Sequence, residues 1–171
     1  LLTGAKVHLI SSGRTDAGVH AVAQVAHFRT GSPMELGSLQ RALNSLLPPD
    51  IAIRRAEEVE DGFHARKSAK SKVYEYRVLN QNIRSVFGRL YAWHIPQRLD
   101  LTEMKKATQS LVGEHDFAAF RSTGTPTRTT VRRVIRVEWK KSREGLLHFE
   151  IEGTGFLKQM VRAIVGTLVE V

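Results

Sequence analysis

The stretch SSGRTDAGVHA, residues 11–21, sets Arg14, Thr15 and Asp16 between Gly13 and Gly18, directly after the apolar run Val7 to Ile10. Three chemistries compete for it. A simple turn would have Asp16 bond local backbone amides while Gly18 takes a positive φ. A phosphate cradle would need the glycine spacing and Lys-Ser/Thr pair of a P-loop, which are missing, and Asp16 would repel phosphate. A carboxylate at a strand end, near an arginine and facing a cleft, is placed to act as base or nucleophile. The motif alone leaves the turn and the catalytic carboxylate open.

Composition narrows the remaining chemistry. The 171 residues are enough for one domain or two small subdomains sharing a cleft, and no run approaches the length of a membrane span. At 42% apolar and 25% charged the chain reads as soluble and folded. It contains no cysteine, which removes disulfides, thiolate zinc sites and cysteine nucleophiles, and is compatible with a reducing cytoplasm. Its seven histidines, at 8, 20, 27, 64, 94, 115 and 148, show no HExxH-like pairing, so none reads as a metal ligand. Lys and Arg number 26 against 17 Asp and Glu, a formal net charge of +9, which suits a polyanionic partner such as nucleic acid and equally a solvated basic surface; charge alone leaves both open.

The elements that must position Asp16 follow from periodicity. Strands are expected over Lys6 to Ile10 and over 21–28, flanking the glycine loop as a hairpin-like pair. Leu36, Leu39, Leu43 and Leu46 share one helical face, with Pro48 as a stop. Further strands are expected at 51–59 and 71–79, the latter with Tyr74, Tyr76 and Val78 on one face and Val73, Glu75, Arg77 and Leu79 on the other. Asp100 reads as the N-cap, with Glu103 in capping-box position, of a helix running to about Val112. Two strands, 131–139 and 146–153, flank a polar turn. A closing helix from about Phe156 carries Leu157, Val161, Ile164 and Leu168 on one face, with Arg162 off that face. The pattern is α+β, mostly antiparallel strands with helices on one side. Residues 1–64 are expected to form an N-terminal α/β lobe holding the loop, and 65–171 the central strands and a C-terminal α/β lobe.

Four motifs in order, GRTDAGVHA, FHARKSAKSKVYEYRV (63–78), GEHDFAAFR (113–121) and GFLKQMVRAIVG (155–166), resemble the tRNA pseudouridine synthase family typified by TruA. The resemblance implies the pseudouridine synthase fold, with two similar lobes about a central RNA-binding catalytic cleft. It also implies a bacterial member cut at both ends, since members carry an opening strand with Tyr-Asp-Gly and Gly-Trp-Gln segments and continue beyond the position of Val171.

The implied reaction isomerises uridine to pseudouridine in the anticodon stem-loop of tRNA, at positions 38, 39 and 40. The bond from N1 to C1′ breaks, the base rotates, and C5 bonds to C1′, with no metal and no small-molecule cofactor. By the resemblance Asp16 is the catalytic carboxylate, as nucleophile at C1′ or as the base that starts glycal formation, and Arg162 is its ion-pair partner. Tyr74 stacks on the target base and is a candidate acceptor for the C5 proton. Arg14 enters the RNA where the flipped base had been. Arg66, Lys70, Lys72, Arg121 and Arg128 are expected to contact RNA, with Lys67, Arg132, Arg133 and Arg136 as further basic candidates. The resemblance further implies a cytoplasmic homodimer binding tRNA. The rival reading is a non-catalytic RNA-binding module.

Overall fold

The structure, a computed structural model, describes residues 2–124 and 127–171. It divides into two compact units, Leu1–Ala69 and Lys70–Val171.

In the first unit, β1 (Ile10–Ser11) pairs antiparallel with β2 (Ala26–His27), Ile10 opposite His27 and Ser11 opposite Ala26. The expected hairpin therefore forms, but the expected strands shorten to two residues each. Among the described residues no third strand extends this ladder, and an isolated two-stranded pairing has little of its own to hold it. Two further bonds continue the work: the backbone Ser12 N–H donates to Val25 O at 2.8 Å, and the Gln24 side chain donates through Nε2 to the Gly13 carbonyl at 2.7 Å. Helix α1 (Leu36–Leu46) follows, with Leu39 buried and Leu46 exposed. It stops because Leu47, preceding Pro48, is driven to extended backbone (φ −74°, ψ 153°).

The strand expected at 51–59 does not form. The Ile53 N–H donates to Asn44 Oδ1 at 2.6 Å, and the Ile53 carbonyl accepts from Asn44 Nδ2 and Gln40 Nε2, each at 3.0 Å. Side chains of α1 thus satisfy the backbone that a ladder would otherwise pair.

The second unit is a five-stranded sheet ordered β4-β3-β7-β6-β5. The strands are β3 (Lys72–Asn80), β4 (Trp93–Ile95), β5 (Gly113–Asp116), β6 (Val131–Lys141) and β7 (Leu146–Gly153). Every pairing is antiparallel except the parallel β3 and β4. The period-two expectation for β3 holds, since Tyr74, Tyr76 and Val78 pack inward while Val73, Glu75 and Arg77 face out. The β6–β7 turn needs left-handed backbone at Glu144 (φ 60°) and Gly145 (φ 73°), and a Cβ at Gly145 would lie 2.6 Å from the Asn80 carbonyl oxygen. Only glycine fits there.

Helices α2 (Leu101–Gln109) and α3 (Met160–Leu168) pack against β6 and β3 respectively, and against each other, so both cover one face. Asp100 caps α2 as expected, its Oδ1 accepting from the amides of Thr102 (2.9 Å) and Glu103 (3.2 Å). The Glu103 carboxylate completes no capping box; it takes the Lys106 ammonium at 2.6 Å instead. The helix ends at Gln109, short of Val112, in two tight turns before Gly113. Likewise α3 starts at Met160 and not at Phe156, because Gln159 sits in the left-handed region (φ 59°, ψ 9°) and breaks the helical run. Leu157 is nevertheless buried, from the preceding loop.

Val78, Phe149, Ile151, Met160, Ile164 and Val165 are at most 1% exposed and form the centre of the core. Each such side chain contributes about 1.5–3 kcal/mol on burial.

Candidate active site

The loop between β1 and β2 carries Arg14 and Asp16, both exposed. Asp16 opens a turn whose Val19 N–H donates to the Asp16 carbonyl at 3.0 Å, with Gly18 at φ 77° in its third position, as a type II turn requires. The simple-turn expectation is therefore half met: Gly18 does take the positive φ, but the backbone carbonyl, not the carboxylate, closes the turn. Within its own unit the Asp16 carboxylate has no hydrogen-bond or ion-pair partner among the described residues. A carboxylate so placed keeps its acceptor capacity for an incoming group.

Arg66 lies in the same unit, on a turn knotted by its neighbours. The His64 Nδ1 accepts from the Arg66 and Lys67 amides at 3.2 and 3.3 Å, the Ser68 N–H donates to His64 O at 2.8 Å, and the His64 N–H donates to Ser68 Oγ at 3.1 Å. From β2, His27 Nδ1 accepts the Ala65 N–H at 3.2 Å. The backbone that presents Arg66 is thus bonded to the returning strand of the Asp16 hairpin.

In the second unit Tyr74 sits in β3 opposite Ile151, half-buried against the core, with the Phe156 ring edge-on at 4.9 Å. Arg162 is exposed on α3, off its buried stripe of Met160, Val161, Ile164, Val165 and Leu168, as the spacing predicts. The elements that carry Tyr74 and Arg162 pack together. Arg121 follows a single 3-10 turn, Ala118–Phe120, that packs on α3, and the Ser122 N–H donates to the Lys158 carbonyl at 3.1 Å. Arg121, Lys158 and Arg162 therefore belong to one basic region. Phe117 is buried and Phe120 partly buried on the core, which agrees with their expected packing role. Arg128 and Lys70 are exposed, and Lys72 is half-buried at the start of β3.

Arg136, one of the basic candidates, has carboxylate partners. On the outer face of the sheet Arg136 meets Glu150 at 2.5 Å, Glu138 at 3.4 Å and Glu152 at 3.7 Å, with Lys140 3.2 Å from Glu138. The Glu150 hydrogen bond, reinforced by the attraction of the three carboxylates, raises the Arg136 pKa above its ordinary value. Beside this group Glu75 bonds Arg77 and lies 3.4 Å from His148 Nδ1. The Arg77 hydrogen bond chiefly holds the Glu75 carboxyl below its ordinary 4.5, against a smaller opposing effect of burial. Arg136 is thus a member of an ion-pair network. Its register on β6, opposite Glu152 on β7, creates that network, and no local sequence pattern reveals it.

A sequence profile of the tRNA pseudouridine synthase family matches residues 2–66 and 107–171. The chain belongs to the tRNA pseudouridine synthase family. It is 48% identical over 167 residues to tRNA pseudouridine synthase A of Thermoanaerobacter sp. (strain X514), covering 98% of this chain and 68% of that protein. The protein of the same name from Geotalea uraniireducens is 49% identical over 170 residues, covering 99% and 69%. That from Bacillus pumilus is 47% identical over 165 residues, covering 96% and 66%. This member of the family is therefore an isomerase of the tRNA pseudouridine synthase type, and its mixed α+β architecture accords with the pseudouridine synthase fold.

Sequence reasoning missed what holds the site residues of this synthase. His27 and Asn44 lie outside the quoted motifs, and Phe156 lies in one that does not name its partner; what distinguishes them is a partner 38, 9 or 82 positions away, and only folding brings those together. For Phe156 the separation is the difference 156 − 74.

Proposed function

We propose that this synthase isomerises uridines in the anticodon stem-loop of tRNA, with Asp16 as the catalytic carboxylate. The observation that carries the reading is the exposed Asp16 side chain, left unbonded within its unit by a turn that closes through the backbone. Had Asp16 served only to shape the turn, its carboxylate would accept the local amides.

The chemistry runs as follows. Asp16 acts ionised, attacking C1′ as the N1 bond breaks or removing a sugar proton to give a glycal. The freed base turns so that C5 bonds C1′ as the Asp16–C1′ bond breaks or, on the glycal route, as the sugar regains its proton from Asp16; C5 then loses its proton while N1 gains one. By likeness to the family, Arg162 supplies the cation that stabilises the Asp16 carboxylate, and Tyr74 supports the base. The Phe156 edge contact, which fixes the Tyr74 ring, supports that role. Arg14, exposed two residues before Asp16, takes the place of the flipped nucleotide, whose unstacking costs a few kcal/mol. Arg66, Lys70, Lys72, Arg121 and Arg128 hold phosphates. The working protein is a homodimer in the cytoplasm, where its tRNA substrate resides. Ile83, Val86, Phe87 and Leu90, all strongly exposed between β3 and β4, offer apolar surface in keeping with a partner.

The decisive measurement is tritium release from C5-tritiated uridine in tRNA transcripts, alongside filter binding. Asp16→Asn is expected to lower the rate by about three orders of magnitude or more while RNA binding survives. Release undiminished by Asp16→Asn would remove Asp16 from catalysis. Binding without release by the unaltered protein would leave an RNA-binding module.

A further inference from the structure

The histidines of the first unit have no part in the reaction above, yet two of them are engaged in a specific way. Ala65 is 3% exposed, so its backbone N–H needs a partner inside the protein. His27 Nδ1 supplies it. One residue on, His64 Nδ1 accepts two successive amides, those of Arg66 and Lys67, in the manner of an Asx turn built by an imidazole. The two rings lie 5.1 Å apart, and Phe63 stands edge-on to His27 at 5.8 Å. Both imidazoles accept at Nδ1, so both are in the tautomer with hydrogen on Nε2.

We propose that His27 is a positioning residue: from the returning strand of the Asp16 hairpin it fixes, through the Ala65 amide and the His64 turn, the backbone that presents Arg66 to tRNA. This rests on the reading of Arg66 as a phosphate contact. The side chain of Arg66 is exposed and belongs to no ion pair among the described residues, so the region its guanidinium can reach is set by where its backbone holds the Cα–Cβ bond. That backbone carries bonds from every side: His27 before it, the His64 ring beneath it, Ser68 after it. Phosphate contacts fix register on RNA, and a loosened Arg66 weakens binding without touching bond making at C1′. The effect of losing His27 therefore falls on KM and passes through Arg66.

The test compares tRNA kinetics of the full-length protein with His27→Phe, His27→Asn, Arg66→Ala and the His27→Phe/Arg66→Ala double variant. His27→Phe keeps the ring packing but removes the acceptor; it should raise KM for tRNA about five- to tenfold, the loss of one hydrogen bond, with kcat held within about twofold. His27→Asn places Oδ1 where Nδ1 lay and should restore most of the affinity. The double variant should be no worse than Arg66→Ala alone, because coupled residues are non-additive. Additive effects, no rescue by Asn, or a fall in kcat at constant KM would overturn the inference while leaving Arg66 as a contact. An Arg66→Ala variant with unchanged KM would overturn the Arg66 reading, and the inference with it. Should His27→Phe fail to fold, His64→Leu against His64→Asn makes the same comparison: Leu raises KM, whereas Asn, which forms the turn natively, does not.

Discussion

The two units hold their shape by different means. Lys70–Val171 has a laddered sheet, two helices on one face and a core in which Phe149, Ile151 and Met160 are fully buried. Leu1–Ala69 has one helix and two paired residues per strand, and among its described residues only Leu39 and Ala65 are buried apolar side chains. Its segments are joined by side chains bonding backbone: Gln24 to Gly13, Asn44 and Gln40 to Ile53, His27 to Ala65, Arg54 to Val22. Where apolar area is scarce, directional bonds from single residues fix the geometry. Such bonds are individually worth about 0.5–1.5 kcal/mol, so each is easily lost and each is local.

Mutations should therefore separate the units. In the second unit Phe149→Ala should cost about 3–5 kcal/mol, read as a lowered urea midpoint of global unfolding. In the first, Asn44→Ala should cost about 1 kcal/mol and do so locally, with faster hydrogen exchange at the Ile53 amide and little movement of the global midpoint. If Asn44→Ala lowered the global midpoint as far as Phe149→Ala, the contrast between packed and tethered units would be wrong. A smaller effect belongs to the outer face of the sheet. The Glu75 pKa is depressed in the folded state, so its contribution is fully present above its ordinary 4.5 and is lost as pH falls through the lower folded value. The side chain is 40% exposed and solvent screens the pair, so Glu75→Gln should flatten the acid limb of thermal stability by only about 1–2 °C.

What the sequence disclosed follows the same division. The sheet unit was legible, because period-two alternation at Tyr74, Tyr76 and Val78 and the Asp100 cap are local signals that its packing then reinforced. The parallel partner β4 was not anticipated, since three residues leave no periodicity to read. The helical spacing from Phe156 was real as an apolar pattern, yet the left-handed Gln159 lay outside what apolar spacing reports. In the tethered unit the stretch 51–59 looked like a strand, but the groups that claimed the Ile53 backbone were polar side chains of a helix nearby in sequence. For the site, Arg14, Asp16, Tyr74 and Arg162 were nameable from motifs. The packing of Phe156 on Tyr74 and the bond from the Ala65 amide to His27 show only as contacts in the fold.

The ion-pair network on the outer sheet face bears on how tRNA binding would respond to ionic strength. Arg136 and Lys140 already have Glu138, Glu150 and Glu152 as their counterions. A phosphate arriving there would have to displace a carboxylate before it displaced any condensed cation from the RNA. The salt dependence of binding, which counts neutralised phosphates at somewhat under one power of salt concentration each, should therefore be insensitive to Arg136 and Lys140. A salt titration thereby becomes a census of the cations the fold has left uncommitted, from which Arg136 and Lys140 drop out together with the carboxylates that balance them.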